Sequence, residues 1–197
     1  MSPTYGRSKH AIMKARLKSH WHGTLGQCQS ISVKEINSGI DFNTRNHRQG
    51  APLHSACLNK TSDVAIQLLQ RFPDKINVLG FNEIHVLHYA CQFGHLELLK
   101  FIIGNPDFDI DFNIVDQNGN TSLHRACSKG QFEVVKFLLE NSNEKEIDIF
   151  KKNNDQQTAE DLARLKGHKD ILELLELWTL PKKIEADKAR LETLQMK

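Results

Sequence analysis

No stretch of this sequence approaches the roughly 20 consecutive apolar residues needed to cross a bilayer, which predicts a soluble chain with no transmembrane segment. It also lacks a glycine-rich phosphate loop, a nucleophile elbow and a zinc-protease helix, so three familiar routes to an active site are missing. Cysteine is scarce, at four residues in 197. With no secretory leader, they read as small buried apolar residues of a reducing compartment rather than a disulfide frame. The expected location is cytoplasmic or nuclear. Acidic residues are absent from the first 34 positions, where Arg7, Lys9, Lys14, Arg16, Lys18 and Lys34 give +6 although the whole chain carries only +2. The remainder, 20 basic against 24 acidic residues, is mildly acidic.

What the sequence does contain is one pattern written several times. Asp116-Gln-Asn-Gly-Asn-Thr-Ser-Leu-His-Arg-Ala-Cys127 has near-copies at Ala51-Pro-Leu-His-Ser-Ala-Cys57 and His85-Val-Leu-His-Tyr-Ala-Cys91, and an altered fourth copy at Thr158-Ala-Glu-Asp-Leu-Ala163. Recurrence at 34 to 37 residues points to stacked repeats, each too small to bury a core alone and each covering its neighbour. Behind each Leu-His pair lies an apolar stripe at i, i+1, i+4, i+5. These are Val64, Ala65, Leu68 and Leu69; Leu98, Leu99, Ile102 and Ile103; and Val134, Val135, Leu138 and Leu139. That spacing puts one helix face against neighbours. In the fourth copy polar residues replace apolar ones, with Glu160 for Leu123, Arg164 for Cys127, Lys169 for Phe132 and Glu176 for Leu139. An end unit needs such a face to meet water. Thr158 with Glu160 and Asp161 suits a helix start, a hydroxyl for an orphan N–H and carboxylates at the positive dipole end.

The pattern resembles the ankyrin repeat, whose Thr-Pro-Leu-His-x-Ala-Ala run opens the first of two antiparallel helices after a turn that projects sideways. The third copy matches at Asp116, Gly119, Thr121, Leu123, His124, Ala126, Gly130, Glu133, Val134, Val135, Leu138 and Leu139. The resemblance implies an all-α ankyrin-repeat solenoid over residues 31–178. A partial unit spans 31–45, full repeats 46–79, 80–115 and 116–152, and a capping unit 153–178. A basic tail or cap at 1–30 precedes them, and a charged helical tail at 179–197 follows. Gly39-Ile-Asp-Phe-Asn43 reads as the end of the partial unit, and Pro52 sits at a first helical turn, where its missing N–H is no loss. The segment from Ser8 to Trp21 reads as a short basic helix with Ile12, Met13, Leu17 and Trp21 at helical spacing. Its bland role is a solvated tail or a cap packing Trp21 on the first repeat, and the alternatives are organelle import, nuclear entry and phosphate binding.

His54, His88 and His124 each precede a cysteine by three residues, on one helix face with Cys57, Cys91 and Cys127, so a nucleophile–base pair or a metal site has to be weighed. Packed helices lie roughly 8–10 Å apart, whereas zinc ligands stand within about 4 Å of one another. One repeat offers two ligands. The resemblance instead implies that the histidines bond from the helix start to the preceding turn, including the Thr hydroxyl where present. Only Thr121 keeps that partner, Ala51 and His85 standing in the first two copies. No catalytic residue, cofactor, metal or small-molecule substrate is expected.

The function that the resemblance implies is non-catalytic protein binding, by a monomeric adaptor or inhibitor, through a concave groove of turn tips and inner-helix ends. The corresponding positions are His47, Arg48, Leu58 and Asn59; Phe81, Asn82, Ile84, Gln92 and Phe93; Gln117, Asn118, Asn120, Ser128 and Lys129. The fourth unit adds Asn154, Asp155, Gln157, Leu165 and Lys166. Phe81, Ile84 and Phe93 are apolar where such positions are ordinarily solvated, and an exposed apolar patch beside Arg48 and His47 has the composition of a binding hot spot. The competing readings are an enzyme using a His–Cys pair, and nucleic-acid or membrane-surface association through the basic N-terminus.

Overall fold

The structure, a computed structural model, describes residues 52–58 and 62–181. The expectations for residues 1–51, for Asn59 and for 182–197 fall outside the described residues, and Phe81 is described by its backbone alone. Helices α1 (Pro52–Cys57), α3 (Val86–Phe93), α5 (Ser122–Lys129) and α7 (Ala159–Lys166) alternate with α2 (Asp63–Arg71), α4 (Leu96–Ile103), α6 (Phe132–Glu140) and α8 (169–181). Among the described residues there is no strand, and no helix is long and apolar enough to cross a membrane.

The third repeat shows why these residues form these helices. Thr121, extended at φ −79° and ψ 172°, caps α5 by accepting the His124 N–H, while its own N–H donates to His124 Nδ1. Two of the orphan donors at the helix start are satisfied reciprocally. Gly130 ends α5 at φ 72°, the left-handed conformation that glycine adopts without penalty. A Cβ there would also come within 2.7 Å of the His168 ring, so the residue is fixed twice over. The chain then reverses into α6, whose Val134, Val135, Leu138 and Leu139 are all buried.

The hairpins stack in register. α3 packs between α1 and α5, and α5 packs on α7, forming an inner layer, while α2, α4 and α6 form the outer one. Leu53, Leu87 and Leu123 occupy the same place in successive repeats and are 4%, 0% and 1% exposed within one continuous core. Of the expected stripes only Val64 and Ile103 are partly open. The helical run of α8 passes the expected boundary at Trp178 and continues through residue 181.

The second repeat turns without the glycine that its successor has. Asn82 and Glu83 both take φ 58°, where Gly119 of the third repeat has φ 74°. The tips nevertheless stay in register, because the Gln117 N–H donates to the Asn82 carbonyl at 3.0 Å just as the Asn154 N–H donates to Asn118 at 3.0 Å. Asparagine tolerates this conformation, whereas a glutamate there costs roughly 1–2 kcal/mol, of which about half is returned as glycine chain entropy on replacement. Glu83→Gly is therefore expected to raise the melting temperature by about 2 °C. A lowered midpoint in far-UV circular dichroism would show that Glu83 contributes a stabilising contact.

Candidate functional site

The turns and inner helices are joined by a frame of latches between repeats. His54 Nε2 donates to the Ile84 carbonyl at 3.1 Å, His88 Nε2 to Asn120 at 3.0 Å and His124 Nε2 to Gln157 at 3.1 Å. Each histidine thus reaches forward into the turn of the following repeat. The bond to the preceding turn expected from the resemblance is present at Thr121, whose N–H (3.2 Å) and hydroxyl (2.8 Å) both meet His124 Nδ1, and the ring's far nitrogen adds a bond to the successor. A second set of latches runs backward, from His95 Nε2 to Cys57 O (2.7 Å), Gln131 Nε2 to Gln92 O (3.1 Å) and His168 Nε2 to Ser128 O (3.4 Å). These satisfy carbonyls at the ends of inner helices, which have no intrahelical partner.

The departures from the pattern keep the same logic. His85, standing where threonine is usual, caps α3 by accepting the Leu87 N–H at 3.1 Å, and its own N–H donates to His88 Nδ1 at 3.0 Å. In the last unit Asp161 replaces the histidine and accepts from Thr158 N–H (2.9 Å) and Oγ1–H (2.8 Å). A carboxylate can complete the cap but has no donor for a further turn. The Thr158 bonds hold its carboxyl below the usual carboxylate range.

Both ring nitrogens of His88 and of His124 are occupied, Nδ1 by cap donors and Nε2 by a carbonyl. Neither is left with a lone pair to take a thiol proton. Burial lowers both imidazoles below their usual value. Burial also pushes the Cys57 thiol up to about 12 and raises Cys91 and Cys127. The thiolate is the reactive form, so these three thiols are expected to react with iodoacetamide only as fast as the protein opens. A Cys28→Ser chain confines the assay to them, and labelling that outpaces amide exchange of α3 and α5 would establish an activated thiol. Among the described residues, no three His, Cys, Asp or Glu side chains come together in a group able to hold a metal ion.

Asp116 anchors the third turn. Its Oδ1 accepts the N–H groups of Asn118 (2.9 Å) and Asn120 (3.0 Å), and Oδ2 takes the Arg125 guanidinium, Nε at 2.8 Å. Burial would raise this carboxyl, but the Arg125 bonds and charge and the two amides outweigh it and hold it low. Arg125 Nη1 continues to Gln92 Oε1 at 2.9 Å, tying the inner helices of two repeats.

This frame decides which of the expected groove residues remain available. Gln92 is consumed by Arg125, and Asn120 by Asn153 Nδ2 and by the His88 latch. Ser128 is half-buried and offers its carbonyl to His168. Asn82, Gln117, Asn118 and Lys129 are exposed, and Ile84 is half-buried. In the fourth unit Asn154, Asp155, Leu165 and Lys166 are exposed, with Asn154 Nδ2 donating to Gln117 O at 3.1 Å. Phe93 is 41% exposed and lies parallel to Tyr89, ring centroids 6.1 Å apart and planes 6° apart. Tyr89 in turn meets His54 edge-on at 5.8 Å. Tyr89 was missed in the sequence, although its i, i+4 relation to Phe93 places the two rings on one helix face.

The family model for ankyrin repeats, in three copies, matches residues 26–112 and 87–179. No curated protein matches the sequence. Proteins of this family carry these repeats generally as protein–protein interaction modules. Matched over most of its length and folded as stacked helical hairpins with sideways turns, this chain belongs to the ankyrin-repeat family.

Proposed function

We propose that this chain is a non-catalytic adaptor or inhibitor that holds another protein in its concave groove, across the first three repeats. The observation that carries the reading is the stacked Tyr89–Phe93 pair, with Phe93 open to solvent, on an inner helix whose repeat and successor also expose the turn amides of Asn82, Gln117 and Asn118. An aromatic ledge gives a partner apolar area at low entropy cost, and unpaired carboxamides at its rim can bond a polypeptide backbone. The latches between repeats hold these groups at fixed separations, so little ordering is required on binding. Three buried free thiols suit a reducing compartment, and cytoplasm or nucleus is part of the proposal.

Phe93→Asp is expected to abolish capture of the partners that the wild-type chain retains from a cell lysate, with identities read by mass spectrometry. Lys136→Glu, on the exposed side of α6, is the control and should leave capture unchanged. Equal capture by Phe93→Asp and wild type would reject the groove assignment.

A further inference from the structure

The terminal unit departs from its predecessor in two opposite directions. It becomes polar at four stacking positions, yet Leu177 and Leu180 stand where the third repeat has exposed Glu140 and Asn143. Leu177 is 66% and Leu180 is 55% exposed. With Glu173 and Glu176 they fall at i, i+3, i+4 and i+7 along α8, which is the spacing of a packed helix face. Together with Glu160 of α7 they line a recess of about 420 Å³ at the end of the stack. Glu160 is bonded to Arg164, whereas Glu173 and Glu176 have no ion-pair partner among the described residues. The recess therefore pairs apolar area with two carboxylates that no described residue pairs, a combination that suits an amphipathic basic segment.

Such a segment is present in the sequence. Residues 8–21 carry Lys9, Lys14, Arg16 and Lys18 with Ile12, Met13, Leu17 and Trp21 at helical spacing, inside a stretch without any carboxylate. The C-terminal residues 182–197 also hold lysines but mix them with Glu185, Asp187 and Glu192. We propose that residues 8–21 of a second copy dock on the α7–α8 end, apolar residues on Leu177 and Leu180 and lysines on Glu173 and Glu176. The chain then associates end to end, in place of the monomer expected from the sequence.

A second copy is the occupant because residues 8–21 precede the matched repeats, which begin at residue 26, whereas α7 and α8 belong to the last of them; docking within one chain would leave the mass at the monomer at every concentration. Contact between unlike surfaces of two copies yields either a reciprocal dimer or an open chain.

The test is sedimentation equilibrium of the full chain at low and high ionic strength. The wild-type average mass is expected to exceed the monomer, to rise with concentration and to fall towards the monomer with salt. Glu173→Lys with Glu176→Lys, and separately Lys14→Glu with Lys18→Glu, should each weaken association by at least about tenfold, and all four in one chain should restore it. Leu180→Asp gives the same loss without altering the four swapped charges, and circular dichroism checks that each variant is folded. A wild type that stays monomeric overturns the proposal. So does association indifferent to Lys14 and Lys18, which would point to residues 182–197 or another surface, and so does failure of the four-residue exchange to restore the contact.

Discussion

Replacing His124 with alanine is expected to cost about 3 kcal/mol of unfolding free energy, the largest effect of any substitution outside the apolar core. The ring is 1% exposed and serves two repeats at once. Its loss strands the Thr121 N–H at the start of α5 and the Gln157 carbonyl in the next turn. Each buried group left unpaired costs roughly 1–3 kcal/mol. Because a repeat stack is a sum of unit and neighbour terms, the loss should fall first on the interface between the third and fourth units. Urea unfolding gives the total, and hydrogen exchange should show α7 and α8 opening ahead of α3. Asp161→His, at the equivalent position of the last unit, is the internal control. An imidazole Nδ1 can accept the Thr158 N–H as His124 accepts that of Thr121, so the change is a carboxylate near a helix start and its Arg164 contact, worth under about 1 kcal/mol. Equal effects of the two substitutions would show that the forward latch carries no stability.

Acidification is expected to loosen the stack well before its carboxylates titrate. Burial, with the neighbouring charges of His88 and His54, lowers His85 from 6.5 to about 3. The folded chain therefore keeps this ring neutral while the unfolded chain takes up a proton below pH 6.5. Stability present above that pH is lost as the pH falls towards the folded value. A single group of this kind removes about 2 kcal/mol between pH 6.5 and pH 5. His88 and His124 are lowered by burial as well and act in the same direction. Asp116 and Asp161, both held low, titrate below this window and do not oppose the trend. His85→Thr should keep the cap, as Thr121 does, and remove that ring's share of the slope. Unfolding free energies from urea titrations at pH 7, 6 and 5 measure it, and a flat profile would sink the assignment of neutral buried imidazoles.

Much of this architecture was legible because a repeat writes its own register. The Leu-His pair fixed where each inner helix begins, the four-residue stripes fixed which face each outer helix buries, and the polar exchanges at Arg164 and Glu176 marked positions that meet water. Both residues are exposed. Periodicity assigns a residue to a face but not to a partner. Gln92 and Asn120 lie at groove positions in the pattern, yet Arg125 and Asn153 take up their side chains. Tyr89 was passed over as an inner-helix residue, although its i, i+4 relation leaves its ring against an open Phe93. Leu177 and Leu180 fall where the third repeat carries exposed Glu140 and Asn143, and both are exposed although apolar.

By itself the sequence determined the repeat, its helices, its caps and the shared apolar seam, since these follow from spacing within about ten neighbouring residues. Only the tertiary structure decided which carbonyl each histidine holds, which amides stay exposed at the turns and which leucines meet water. Those outcomes depend on how one repeat is staggered against the next, across 30 or more residues of chain, and no local periodicity encodes that offset.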